Sequence, residues 1–329
     1  MKHFYSSFII TFLGLGFAFF YGGFQGLYIV FLLAILEVSL SFDNAVVNAK
    51  VLDTMEKKWQ DRFILFGIPI AVFGMRFLFP ILIVAVVANL GIVETFQIAM
   101  NDPEKYHHTL ESTEYMIFAF GGSFLLMVFL DFFFEEDKDV KWIKILEDNG
   151  AVNRFSTVAN TELSIAIAIG LILIASTPEK YDSTAIALSY FTGILLHAIL
   201  NAVDDLFSTD SVKNGLVGFI YLEVLDASFS FDGVIGAFAL SSDIFIIMIG
   251  LGVGAMFVRS LTLYFVEKKT LSEFIYLEHG AHYAIGALAV IMLLKIFYHI
   301  GEEITGTLGL ALIAIAFIHS LIENKKSKN

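Results

Sequence analysis

The stretch Ile35-Leu36-Glu37-Val38-Ser39-Leu40-Ser41-Phe42-Asp43-Asn44-Ala45-Val46 decides the reading of this chain, because it occurs twice. It returns, altered, as Val224-Leu225-Asp226-Ala227-Ser228-Phe229-Ser230-Phe231-Asp232-Gly233-Val234-Ile235. In alignment Glu37 sits over Asp226, Ser39 over Ser228, Ser41 over Ser230 and Asp43 over Asp232. Each copy lies in a mostly apolar run, 27–52 and 215–240. An ionised carboxylate at a bilayer centre costs ~2.5 kcal/mol or more, so acids in such runs need a function, a partner, or both.

The surrounding composition makes the bilayer the relevant solvent. Of 329 residues, 57% are apolar, and the mean hydropathy is +0.79, well beyond what a soluble domain needs. The chain has no Cys, which excludes disulfides, thiolate metal sites and Cys nucleophiles. A net charge of −13 argues against nucleic acid and suits a surface that meets cations. Hydropathy gives about ten spans: 4–20, 27–52, 62–88, 114–134, 161–176, 184–203, 215–240, 243–266, 280–298 and 304–322. The run 4–20 has no small-residue cleavage site after it and reads as a retained span. The fifth span is short for a core of ~30 Å. The expected fold is an all-α polytopic membrane helix bundle forming one transmembrane domain over 1–329.

Loop charge orients the bundle. With ten spans, one side holds 15 Lys/Arg and the other only Lys105 and Lys180; Arg76, Arg259 and Lys295 fall inside spans. That bias puts both termini in the cytoplasm. The outer loops carry ten acids and would gather or release cations. Five spans separate the two motifs, so the copies run in opposite directions. This is the pattern of an inverted-topology repeat with a site at the repeat interface. The halves are about 1–176 and 184–322, followed by a short basic tail at 323–329. Arg76 and Arg259 each follow a motif by one span.

The side chains at the motifs are oxygen donors, the set preferred by hard divalent cations such as Mn²⁺, Mg²⁺ and Ca²⁺. Asp43 and Asp232 are the expected direct ligands. Glu37, Asp226, Asn44, Ser41 and Ser230 would complete the shell or carry protons. Arg76 and Arg259 would neutralise the site without its ion, and Glu223 is an additional acid with a structural or a functional role. Positions six apart on a helix point ~120° apart, so Glu37 and Asp43 share an ion only if the helix loosens. Broken or distorted helices are therefore predicted at Ser41–Asn44 and Ser230–Gly233. The alternative is that Asp43–Arg76 and Asp232–Arg259 are ion pairs that fix packing. Elsewhere, His197 reads as a satisfied interior histidine and Asp131 as a snorkelling acid. Glu278 and His282, four apart, form an entrance site for metal or protons, or else a helix cap.

At these residues the chain resembles the TerC family of integral membrane proteins, named for tellurium resistance. The first family motif, Glu-x-x-Leu-Ser-x-Asp-Asn, is matched by Glu37, Leu40, Ser41, Asp43 and Asn44. The second, Asp-x-x-Phe-Ser-x-Asp-Ser, is matched by Asp226, Phe229, Ser230 and Asp232, with Gly233 in place of the final Ser. The long loops and the Glu278–His282 segment look like a divergent branch, in a broader group that includes the lysine exporters. The resemblance implies a bacterial inner-membrane protein, with manganese export for several members and tellurite resistance for others. The resulting expectation is a non-enzymatic secondary transporter that exports a hard divalent cation, Mn²⁺ first, with coupling to protons. Its partners are the cation and the lipid bilayer, and a homo-oligomer is compatible with the sequence. The rival readings are a non-transporting scaffold in metal or tellurite stress resistance and an intramembrane aspartyl hydrolase, in which two Asp share a proton.

Overall fold

The computed structural model describes residues 4–88, 90–135, 138, 140–207, 215–238, 240–241, 243–268 and 274–326. Within it the fold is all-helical. Two compact units form, each from two stretches of chain: Met1–Glu114 with Ser208–Lys268, and Tyr115–Phe207 with Lys269–Asn329.

The first unit holds α1 (Tyr5–Leu40), α2 (Phe42–Thr54) and α3 (Lys57–Pro69). A π-helical segment, Ile70–Leu78, leads to α4 (Phe79–Val87) and α5 (Ile92–Asn101), and α11 (Leu216–Phe238) and α12 (Ile244–Lys268) complete it. α1 is interrupted at Gly23, whose φ of 63° is a conformation that glycine adopts without steric cost. The chain reverses there. Gly26 lies so close to the Ala18 carbonyl that a Cβ would be 2.8 Å away, whereas eight residues of unbroken helix would hold them about 12 Å apart. Contacts with α12 trace both arms. Ser7 Oγ donates to the Met256 carbonyl at 2.8 Å and meets Ser260 Oγ at 2.6 Å. On the returning arm, Leu33 packs on Gly250 and Glu37 on Gly254. Gly250 and Gly254 are one helical turn apart, and small residues at that spacing let two backbones approach without side chains between them.

The second unit contains the rest of α6 (Pro103–Phe134), then α7 (Lys144–Glu147), α8 (Gly150–Ser156), α9 (Thr161–Ala175) and α10 (Ser183–Phe207). It closes with α13 (Leu277–Lys295) and α14 (Glu302–Lys326). Ser123 Oγ on α6 donates to the Tyr190 carbonyl of α10 at 2.8 Å, and Tyr190 Oη donates to Ala166 of α9 at 2.7 Å. In hydrocarbon, such hydroxyls find backbone acceptors because water supplies none.

Six helices among the described residues are long and apolar enough to cross a membrane: Tyr5–Val38, Pro103–Phe134, Ser183–Ala202, Ile244–Glu267, Leu277–Lys295 and Thr307–Lys326. Hydropathy predicts about ten, and the difference has local causes. Runs 4–20 and 27–52 lie on the two arms of α1 on either side of Gly23, which count together as one helix, with α2 continuing the second arm. Run 62–88 is divided by the π-helical segment. α11 carries Glu223, Asp226 and Asp232, and α9 is only 15 residues long. Large side chains on α1 point outward, with Phe12 77% and Phe20 92% exposed, as suits a lipid-facing surface.

Candidate functional site

The polar residues of the first motif fall on one stripe. Glu37, Ser41, Asn44 and Asn48 recur at intervals of four, three and four, the spacing of a helix face. All four are buried. At Ser41 the helix breaks for a single residue, with φ −104° and ψ 17°, separating α1 from α2. The predicted interruption at Ser41 is therefore present. The one predicted at Ser230–Gly233 is not, because α11 runs unbroken from Leu216 to Phe238. Gly233 allows close approach rather than unwinding: a Cβ there would be 3.1 Å from Glu37 Oε2.

α11 crosses this stripe in the opposite direction. Leu222 packs in a cluster with Leu52 and Met55, Asn44 Nδ2 donates to Asp226 Oδ1 at 2.6 Å, and Gly233 faces Glu37. As residue numbers rise along one element they fall along the other. The Glu37–Gly233 and Asn44–Asp226 contacts exchange when the two motif copies are exchanged, since Glu37 aligns with Asp226 and Asn44 with Gly233.

Arg76 joins the two copies. Its Nη2 donates to Glu37 Oε1 at 2.5 Å and its Nη1 to Asp226 Oδ2 at 2.8 Å. The side chains of Arg76 and Glu37 are each 1% exposed, and that of Asp226 is 15% exposed. Ser41 Oγ donates to the same Glu37 oxygen at 2.7 Å. The guanidinium thus reaches the acids that begin the motifs, Glu37 and Asp226; the alternative Asp43–Arg76 pairing involves a side chain outside the described residues. A planar fork suits two carboxylates presented from separate helices. Arg76 lies in the π-helical segment, a wider winding that recurs at functional sites. Pro69 ends α3, and Pro80 sits in the first turn of α4. Proline lacks the N–H that regular winding requires, so this segment between two prolines was open to irregularity from the sequence.

Beside this bridge is a cavity of about 20 Å³, lined by Asn48, Phe63, Arg76, Glu223, Asp226 and Arg259 among others. Arg259 lies 4.1 Å from the centre of the Phe63 ring, a cation–π contact. Several buried polar atoms here have no hydrogen-bond partner among the described residues: Glu37 Oε2, Glu223 Oε1, Asn48 Oδ1, and Nε and Nη2 of Arg259. Asn48 was not singled out from the sequence, although its place on the Glu37–Ser41–Asn44 stripe was a legible signal.

The other expected site residues divide into two groups. The side chains of Asp43, Asp232 and Ser230 lie outside the described residues. Glu278 and His282 belong to the second unit. There His282 Nδ1 donates to the Glu278 backbone carbonyl at 2.9 Å, and its ring stacks on Phe132 at 3.9 Å. The polar partner of that helix end is His279, whose Nε2 is 2.8 Å from the Val140 carbonyl and 3.4 Å from Glu147 Oε2. Glu147 also accepts from the backbone N–H of Trp142 and Ile143 and from Tyr283 Oη. Burial would raise its pKa, but His279, the Ile143 N–H and Lys138 outweigh burial and hold it at about 2. The sequence offered no pattern linking Glu147 to His279, which are far apart along the chain. In the same unit, Asp131 Oδ2 lies 3.2 Å from His197 Nε2 and accepts from Asn201 Nδ2 at 3.0 Å. Asp131 therefore pairs with the interior histidine instead of reaching outward alone.

Among the described residues, no three His, Asp or Glu side chains are grouped closely enough to hold a metal ion. What converges is two carboxylates, a serine, an asparagine and one bridging arginine. Taken with its apolar helices, the chain is a membrane-embedded helical protein of several passes. It belongs to the family described as "Protein of unknown function (DUF475)", whose model matches residues 42–327. Neither a curated protein nor a solved structure matches the chain.

Proposed function

We propose that this protein is a secondary transporter of the TerC kind that exports a hard divalent cation, Mn²⁺ before others, in exchange for protons. The observation that carries the reading is the bridge itself: Arg76 held between Glu37 and Asp226 inside an apolar bundle. Each acid comes from one copy of a repeated motif, and the two copies cross in opposite directions. This arrangement supports an inverted repeat with its site at the crossing.

In this reading the guanidinium occupies the place of the cation when the site is empty. A divalent ion would replace it between Glu37 and Asp226, with Ser41 and Asn44 supplying neutral oxygens. Asp43, Asp232 and Ser230 extend the oxygen set on the same two motifs, and Arg259 offsets the remaining charge. Protons and cations compete for the same carboxylates, so uptake of one favours release of the other. Outward transport and Mn²⁺ rest on the TerC resemblance; the preference for a hard divalent ion rests on the donor atoms. The proposed setting is the bacterial inner membrane with both termini cytoplasmic, from the distribution of Lys and Arg.

The test is flux into proteoliposomes across a panel of Mn²⁺, Mg²⁺, Ca²⁺ and Zn²⁺, with and without a pH gradient. Wild-type protein is expected to move Mn²⁺ and to move it faster with the gradient. Glu37→Gln, Asp226→Asn, Asp43→Asn and Asp232→Asn are each expected to abolish that flux. Unchanged Mn²⁺ flux in all four variants rejects the site, and absence of flux in wild-type protein rejects the transporter.

A further inference from the structure

If a cation replaces Arg76 between Glu37 and Asp226, the displaced guanidinium needs another acceptor. A buried arginine left without one would be strongly destabilising. The cavity next to the bridge supplies a candidate. Arg76, Asp226 and Glu223 all line it, and Glu223 Oε1 is buried with no hydrogen-bond partner among the described residues. Glu223 and Asp226 are three apart on α11, so they share one helix face.

We infer that Glu223 is the alternate partner of Arg76: the guanidinium pairs with Glu37 and Asp226 in the empty site and turns to Glu223 in the cation-loaded site. This inference rests on the cation-transport reading and adds to it the destination of the displaced charge. Three further features fit. A void of about 20 Å³ is lined by both Arg76 and Glu223, so the two side chains share one space. Arg76 sits on π-helical backbone, a winding that recurs at functional sites. Arg259, the other cation lining the cavity, has its guanidinium over the Phe63 ring, so Arg76 is the cation that loss of the bridge would release. The remaining polar side chains of the wall are Asn48, on α2, and Thr262, whose hydroxyl donates to the Val258 carbonyl. Glu223 is therefore a positioning residue, acting on the cation only through Arg76.

The experiment measures Mn²⁺ affinity by calorimetry in lipid nanodiscs, together with the unfolding temperature of the cation-free protein. Glu223→Gln is expected to weaken Mn²⁺ binding about tenfold. The cation-free unfolding temperature should change little, because Glu223 Oε1 has no hydrogen-bond partner among the described residues in that state. In an Arg76→Met background, prepared with Mn²⁺ present, Glu223→Gln should change the affinity less than about twofold. Glu223→Asp retains a receiving carboxylate and should restore affinity to within about threefold of wild type. An equal loss from Glu223→Gln in both backgrounds overturns the inference, as does a lowered unfolding temperature with unchanged affinity. Where Arg76→Met does not fold, the Asp and Gln substitutions decide, since equal losses overturn a role for the carboxylate. Absence of Mn²⁺ binding to wild-type protein is a different failure, that of the cation reading itself.

Discussion

Glu37 in the first unit and Glu147 in the second are both deeply buried carboxylates, yet their surroundings differ in kind. Both oxygens of Glu147 are engaged: Oε1 by the Ile143 N–H and Tyr283, Oε2 by the Trp142 N–H and His279. Glu37 takes Arg76 and Ser41 on Oε1 alone, and its Oε2 has no partner among the described residues. A saturated carboxylate resists change, because every alternative loses a bond in a medium where an unmade bond is costly. A half-engaged one has capacity left over. Glu147 fastens the segment after α6 to the start of α13, whereas Glu37 is suited to exchanging partners.

The contrast is broken most forcefully at Arg76. Arg76→Met leaves Glu37 and Asp226 buried without their cation, and the expected loss is about 3–5 kcal/mol of stability. Added Mn²⁺ should recover part of it by taking the empty place. Thermal unfolding of the variant in detergent, with and without Mn²⁺, measures both effects; a variant as stable as wild type removes the bridge from the account.

A smaller effect is expected at the saturated acid. Glu147→Gln keeps the shape but cannot satisfy all four donors, at a cost of about 1–3 kcal/mol that Mn²⁺ does not recover. The variant also changes the response to acid. The Glu147 pKa is about 2 when folded against an ordinary 4.5. A depressed pKa stabilises the fold above the ordinary value, and that contribution fades as pH falls toward the depressed one. Between about pH 5 and pH 3 the wild-type unfolding temperature should therefore fall more steeply than that of Glu147→Gln. Parallel slopes would show that Glu147 contributes no such linkage.

Ser41→Ala sharpens the comparison at its fine end. It removes one of two donors to Glu37 Oε1 while Arg76 remains, so a loss of about 1 kcal/mol is expected. A loss equal to that of Arg76→Met would mean that the turn at Ser41, rather than the charge bridge, holds the site.

Much of this arrangement was legible in the sequence, for identifiable reasons. Apolar composition establishes helices in a bilayer, since the backbone must satisfy itself there. The repeated motif pointed to Glu37, Ser41, Asn44 and Asp226, which do come together, and Ser41 as a break in the helix follows from hydroxyls competing for backbone groups. The partner of Arg76 was not legible. Spacing along the chain does not distinguish among the acids of the motifs, and only the crossing of α11 brings Glu37 and Asp226 to the arginine together. The break predicted at Ser230–Gly233 does not form; Gly233 instead admits a neighbouring carboxylate. The π-helical segment depends on how two prolines are accommodated in three dimensions, and the Glu147–His279 contact depends on tertiary folding with no periodic signal.

The reversal at Gly23 carries a mechanical consequence. Because both arms of α1 grip α12, with Leu33 and Glu37 seated on Gly250 and Gly254, Glu37 and Arg259 ride on a single clasped body. Asp226 and Glu223 ride on α11. Any sliding of α11 along that clasp then resets the charges opposite Arg76 all at once, as a vernier resets its whole scale with one displacement.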